Sequence, residues 1–427
     1  MRRLKLWVQS RFMHSIRNYI SQLRRFQGNA RLYLLYSFAS GFAMGIMRLL
    51  FNFYVLSLGH DRGFLGLLVA LPPLVITFAA IPAGMLGHRF GHRSTLIAGA
   101  ALTVASVLGI SLSTAAIGLV LFSISRGLSR TLLTVSSAPF MAENSEASER
   151  THLFSVQFAT RMLASFFGLL LAGVLPTAVA WVLRIGAEDP MAYRASLWVG
   201  AGLLAVAILP LVRMPQLPKA IEPRPSPKLR EMFRAPWQLV RLFLPQVLIG
   251  FGAGVLVPFL NVYFRTKFGL SDSVIGVLYA FQSVAMAIAL LVAPIVAERL
   301  RRVRAVVIVQ LLSIPFLILL GYAPLVSLSA IGFLARASLM NMGNPLYTAF
   351  AMESVAPVRR PTASALMQMS WQGTRSLGAF VSGHLQEGPG FSALFPITIG
   401  CYLAASALMY AFFGRSDRGS EDGRART

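Results

Sequence analysis

The chain has 427 residues, 56% hydrophobic and only 13% charged, with a mean hydropathy of +0.66. A water-soluble domain carries about 25% charged residues, so the composition argues against a soluble enzyme and points to lipid as the solvent. The net charge of +24 does not mark a nucleic-acid binder, because the basic residues sit at the ends of apolar runs and not on one soluble face.

Residues 1–31 lack the compact apolar stretch and small-residue cleavage site of a signal peptide. Val8, Phe12, Ile16, Tyr19 and Leu23 recur at helical spacing between Arg11, Arg17, Arg24 and Arg25. That pattern suits a basic amphipathic helix on the cytoplasmic leaflet, the alternative being a basic tail that only sets orientation. Beyond it, twelve stretches reach the roughly 20 apolar residues a membrane helix needs. They are 32–58, 63–86, 94–112, 115–141, 152–176, 192–213, 239–264, 273–297, 305–322, 325–352, 363–385 and 391–413. The expected fold is an all-α membrane protein of two six-helix bundles, 32–213 and 239–413. Residues 214–238, with six prolines, read as a cytoplasmic linker, and 414–427 as a cytoplasmic tail. The single cysteine, Cys401, excludes an intrachain disulfide.

With the N-terminus inside, the cytoplasmic segments and adjoining helix ends hold 28 of the 39 Lys and Arg residues. The opposite loops hold five: Arg62, Arg184, Arg194, Arg265 and Lys267. The excess of basic residues inside places both termini in the cytoplasm, in the inner (plasma) membrane of the cell.

A shift of 210 residues aligns the two halves without a gap. Arg31 meets Arg241, Gly59 meets Gly269, Gly66 meets Gly276, and Arg89 meets Arg299. Arg126 meets Arg336, Glu143 meets Glu353, Arg150 meets Arg360, and Gly168 meets Gly378. Six helices per copy give both copies the same sense, a parallel repeat about an axis along the membrane normal.

After the second span the sequence reads Gly84-Met85-Leu86-Gly87-His88-Arg89-Phe90-Gly91-His92-Arg93. This loop, with the 6+6 repeat, resembles the major facilitator superfamily, whose signature is Gly-x-Leu-x-Asp-Arg-x-Gly-Arg-Arg. His88 stands at the acid's place and His92 at a basic one. The second copy keeps Glu298 and Arg299 but has lost both glycines. Arg126 resembles an arginine midway along the fourth helix of many members, while Arg130 takes the place of a glycine. The resemblance implies a cytoplasmic latch in which Arg89 and Arg93 meet Glu143, and Arg299 meets Glu353. Each such exposed pair is worth about 1 kcal/mol or less, weak enough to open. It further predicts that protonating His88 loosens the first latch; unchanged transport in His88→Asp would remove that idea.

No Asp or Glu falls inside a predicted span, yet Arg48, Arg126, Arg130, Arg161, Arg336 and Arg375 do. An arginine facing lipid near the midplane costs roughly 2.5–3.5 kcal/mol, and six together on the order of 15–20 kcal/mol, more than a domain's usual net stability. They are expected to face water, protein or ligand. The resemblance implies that helices one, four, seven and ten line a central cavity. That makes Arg48, Arg126, Arg130, Arg336, Asn261 and Asn341 the candidate substrate-binding residues. Guanidinium groups suit carboxylates and phosphates, so an anionic or organic-acid substrate is expected. The alternative is that these arginines brace helices against backbone carbonyls, which fits Arg161 and Arg375 best.

No phosphate-binding loop and no metalloprotease or nucleophile-elbow motif occurs. The chain reads as a non-enzyme without cofactor or metal, a monomer whose partners are the lipid bilayer and a small-molecule substrate. Transport by alternating access, as anion exchange or uniport, competes with two other functions. One is a broad-specificity exporter of hydrophobic compounds, and the other a non-transporting membrane sensor or assembly protein.

Overall fold

Within a bilayer an apolar run must satisfy its own backbone, and the helix does so segment by segment. The computed structural model describes residues 28–146, 149–215, 237–300, 302–355 and 360–414. The expected amphipathic N-terminal segment, nearly all of the linker and the tail lie outside these residues. Among the described residues, twelve long helices run back and forth. The first half contains α1 (Gly28–Ser57), α2 (Arg62–Phe90), α3 (His92–Leu112), α4 (Ala116–Glu143), α5 (Arg150–Leu183) and α6 (Pro190–Arg213). In the second, α7 runs as Trp237–Leu256, a 3-10 turn at Val257–Phe259, and Leu260–Phe268. After it come α8 (Asp272–Arg299), α9 (Arg302–Tyr322), α10 (Val326–Glu353), α11 (Arg360–Glu387) and α12 (Phe391–Phe413).

The 210-residue repeat is visible in the helix ends. α2, α3, α4 and α5 begin at 62, 92, 116 and 150, and α8, α9, α10 and α11 begin 210 residues later. Gly59 and Gly269 end α1 and α7 with φ of +85° and +64°, a left-handed stop that glycine adopts freely. Arg150 donates to Ala142 O (3.1 Å), and its mate Arg360 donates to Met352 O (2.9 Å). Each closes the end of α4 or α10 by filling a carbonyl left without a helical partner.

Packing repeats as well. α1 lies against α5 and α6, α2 against α4, and α3 against α4 and α6. The same scheme recurs with α7 against α11 and α12, α8 against α10, and α9 against α10 and α12. The halves meet along two seams, α2–α11 and α5–α8, which the repeat exchanges. α1 and α7 start, and α6 and α12 finish, at the same end of the bundle, called here the terminal end; the opposite end is the distal end.

Ten of the twelve helices are long and apolar enough to cross a membrane by composition alone; α10 and α11 fall below that mark. They carry Arg336, Asn341 and Asn344, and Gln368, Gln372 and Arg375. Each is flanked by two helices of the chain, α10 by α8 and α9, α11 by α2 and α7, so less of its surface has to match lipid.

Both seams are built on facing glycines. A Cβ on Gly66 would lie 2.6 Å from Gly383 Cα, and one on Gly276 would lie 2.9 Å from Gly173 Cα. The pairs are repeat equivalents, 66 with 276 and 173 with 383. With no side chain between them, the backbones touch. Ser273 Oγ then donates to Gly173 O (2.9 Å) and Ser376 Oγ to Ala70 O (2.7 Å). Gly276→Leu should therefore destabilise this arrangement by about 1–3 kcal/mol, as overpacking does. Gly202→Leu, where nothing lies within 4 Å of the added carbon, should leave the melting temperature unchanged in the same thermal-unfolding assay.

Candidate functional site

Five of the six interior arginines gather at the centre. Arg130 on α4 is within electrostatic reach of Arg126 on the same helix, Arg48 on α1, Arg161 on α5 and Arg375 on α11. A side chain approached from four helices of both halves does not lie on the lipid-facing perimeter. Yet Arg48, Arg130 and Arg161 are exposed, and Arg126 and Arg375 are half-buried. Groups that are both central and accessible to water line a chamber between the halves. At 1.5 Å per residue they stand about 16 Å (Arg161), 20 Å (Arg130), 22 Å (Arg375), 26 Å (Arg126) and 30 Å (Arg48) from the terminal ends of their helices.

Aromatic and amide groups hold these cations in place. Arg48 Nη2 donates to Gln282 Oε1 (2.9 Å), and its guanidinium carbon lies 5.4 Å from the Tyr279 ring centre, so α8 grips a cation of α1. Arg126 lies 4.3 Å from the centre of Phe51. Arg161 stands near Tyr33 and Tyr36. Every acidic residue in the described stretches lies at a helix end or in a loop, so no carboxylate neutralises the group. Arg161 and Arg375, for which a helix-bracing role fits best from sequence, also lie within electrostatic reach of Arg130.

Arg336 behaves differently although it is the repeat mate of Arg126. It is only 4% exposed, and its Nη2 donates to the Tyr402 hydroxyl (2.6 Å) on α12 of the same half. Its Nε is buried without a partner. Asn341, half-buried, donates to Ala337 O of its own helix at 2.8 Å.

Asn261 lies deeper, at a distal seal between α1 and α7. Asn52 Nδ2 donates to Asn261 Oδ1 (2.8 Å) and to Pro258 O (2.7 Å), and Asn261 Nδ2 donates to Leu49 O (3.0 Å). Pro258 lies in the 3-10 turn where α7 leaves regular helix. Farther out, Arg265 pairs with Asp272, approaches Glu188 (4.0 Å), and lies 3.6 Å from the centre of Phe53 on α1. Tyr193 of α6 donates its hydroxyl to Asp272 Oδ2 (3.0 Å). Glu387 of α11 accepts from Gly63 N (2.7 Å) and caps the start of α2 across the seam. The distal end is thus closed by polar contacts between the halves beside a buried apolar cluster that both halves share.

The model of the Major Facilitator Superfamily matches residues 33–249 and again 242–427, one copy for each half. The chain belongs to the major facilitator superfamily. No curated protein matches its sequence. Among solved structures it is similar to the nucleoside transporter NupG, at 14% identity over 91% of this chain and 99% of that one, with a TM-score of 0.74. It is also similar to the D-xylose–proton symporter (18% identity, 89% and 97% covered, TM-score 0.70). A third likeness is to a bacterial homologue of the human lysosomal transporter Spinster, solved inward-facing and unoccupied (16%, 92% and 96%, TM-score 0.67). At such identity the likenesses show the fold. This superfamily member is accordingly a multi-pass membrane transporter of a small molecule.

Its superfamily signature loop joins α2 to α3. From sequence, Arg89 and Arg93 are expected to meet Glu143 at the end of α4. In the structure His92 Nε2 stands 3.5 Å from Glu143 Oε1, while Arg93 donates to Val212 O (2.7 Å) and closes the last turn of α6. His88 lies edge-on to His92 with ring centres 5.6 Å apart, and Arg89 lies over Phe90. Gly87 makes the room: a Cβ there would meet His92 Nδ1 at 3.1 Å. In the second copy, Glu298 and Arg299 end α8, and their side chains lie outside the described ones; Glu353 is exposed at the end of α10. His92 was readable only as the residue at a basic position of the motif.

The contrast between Arg126 and Arg336 is testable. Tyr402→Phe removes the hydroxyl that satisfies a buried charge and should cost about 1.5–3 kcal/mol. The melting temperature of the purified protein should fall while its ligand binding stays as in the wild type.

Proposed function

We propose that this protein is a secondary transporter of an organic anion, working by alternating access. The observation that carries the reading is the central, water-accessible set of guanidinium groups with no carboxylate among them. Arg48, Arg126, Arg130 and Arg375 bind the anion, and Arg161 stands on its path toward the terminal end. Arg336 is assigned to scaffold the second half through Tyr402, and Asn341 to the chamber wall. Asn261 acts in the distal gate with Asn52, not on the substrate.

The positive-inside pattern supports a cytoplasmic terminal end in the plasma membrane. The polar closure at the distal end then corresponds to an inward-facing state. Outward opening breaks the Asn52–Asn261 and Arg265–Asp272 contacts. It closes the terminal end around the signature loop, with His88, Arg89, Arg93, Glu143, Glu298, Arg299 and Glu353 as the gate and His92 the residue that meets Glu143. With no acid in the chamber to carry a proton, exchange of one anion for another fits better than proton symport. Tyr33, Tyr36, Tyr279 and Phe51 beside the cations suit a substrate that also has an apolar or aromatic part.

Reconstitution in liposomes tests the reading. Uptake of a labelled organic anion against internal unlabelled anion should occur in the wild type. It should fall at least tenfold, about 1.4 kcal/mol, in Arg130→Gln and in Arg375→Gln. Transport of neutral hydrophobic compounds that is indifferent to both substitutions would favour the broad-specificity exporter instead.

A further inference from the structure

We infer that the ligand of this chamber is multivalent, carrying at least two negative charges such as those of a di- or tricarboxylate or a phosphomonoester; this rests on the anion reading above. The argument is one of counting and placement. Arg48 and Arg130 belong to the first half and Arg375 to the second, and the three lie within electrostatic reach of one another. Arginine keeps its proton throughout the physiological range, so three permanent positive charges, about 20 Å (Arg130), 22 Å (Arg375) and 30 Å (Arg48) from the terminal ends of their helices, share the space between the halves. The nearest acids are at helix ends.

A single carboxylate answers one of these cations and leaves the others repelling. A second charge on the same molecule answers a second cation without a further loss of translational freedom. The division between halves adds a geometric condition. A monovalent head engages one wall, whereas two charges engage Arg48 or Arg130 on one wall and Arg375 on the other.

The donors suit such a task. Gln282 accepts one N–H of Arg48 (2.9 Å), and a guanidinium has five, so Arg48 is oriented by α8 and keeps donors for the ligand. Arg126 is positioned by Phe51. In contrast, Arg336 lies within electrostatic reach of Arg375 but is only 4% exposed and donates to the Tyr402 hydroxyl, so it adds positive potential without being open to the ligand. Carboxylate and phosphate oxygens match the guanidinium fork in pairs, which selects oxyanions with several oxygens over halide.

A valence series on the intact purified protein tests this. Propionate, succinate and tricarballylate add one carboxylate at a time, with inorganic phosphate as a compact multivalent probe and chloride as competitor. Titration calorimetry at fixed low ionic strength should give an affinity at least tenfold higher for tricarballylate than for propionate. Phosphate should bind more tightly than chloride, and affinity should fall more steeply with salt as valence rises. Arg375→Gln should flatten the series, and Arg375→Lys should keep most of the gain. Equal affinity for propionate and tricarballylate overturns the multivalent inference and leaves the anion reading standing. A valence gain that survives in Arg375→Gln overturns the bridging role across the halves. No binding of any anion overturns both the inference and the reading beneath it. The wild-type series needs no variant, so a variant that fails to fold leaves the test intact.

Discussion

A guanidinium near the middle of a bilayer must find water, a polar partner or a ligand, because facing lipid there costs roughly 2.5–3.5 kcal/mol for each one. This chain carries six and satisfies them in two ways. Arg336 is buried against the Tyr402 hydroxyl inside its own half. The other five converge from α1, α4, α5 and α11 on the space between the halves. That requirement is what makes the centre of the bundle wet, and it ties fold to function. Two packed six-helix units with apolar exteriors leave one shared interior, and the charge that lipid refuses has to be there.

The same duplication builds the two seams between the halves. Each seam brings backbone against backbone at a glycine pair, Gly66 with Gly383 and Gly173 with Gly276. Smooth seams of this kind let helices tilt past one another without unthreading side chains. The distal end combines hydrogen bonds and ion pairs with one buried apolar cluster that spans both halves, with Phe51, Phe53, Leu256, Phe259 and Leu260 among its members. The polar contacts contribute on the order of 1 kcal/mol each.

Much of this architecture is legible in the chain itself. The 210-residue offset sets the starts of four helices in each half, and the paired arginines Arg150 and Arg360 turn out to finish α4 and α10 in the same way. The site is less legible, for physical reasons. Arg126 and Arg336 look alike in sequence, but their fates depend on Tyr402, 66 residues beyond Arg336 and on another helix. Arg375 lies on a helix whose counterpart mainly forms a seam, so its inward face shows only when α11 is placed. Asn261 reads as a polar residue within a span. Its role depends on the break in α7 at Val257–Phe259, a local departure from the helix that apolar composition does not signal.

Apart from Arg126, whose repeat mate is Arg336, the central arginines sit where the two halves differ. Arg48, Arg130, Arg161 and Arg375 face Pro258, Met340, Trp371 and Ser165 at the repeat-equivalent positions. The polar contacts at the distal end are equally asymmetric, since Asn52, Arg265 and Asp272 correspond to Val262, Val55 and Arg62. Gly66 and Gly276, and Arg150 and Arg360, keep the symmetry and serve packing and helix ends. A symmetric chamber would set equal cations on both walls. Here most of the charge comes from one wall, with Arg375 opposite, so a ligand meets two unlike surfaces. That inequality means the two halves present different chemistry to the space between them.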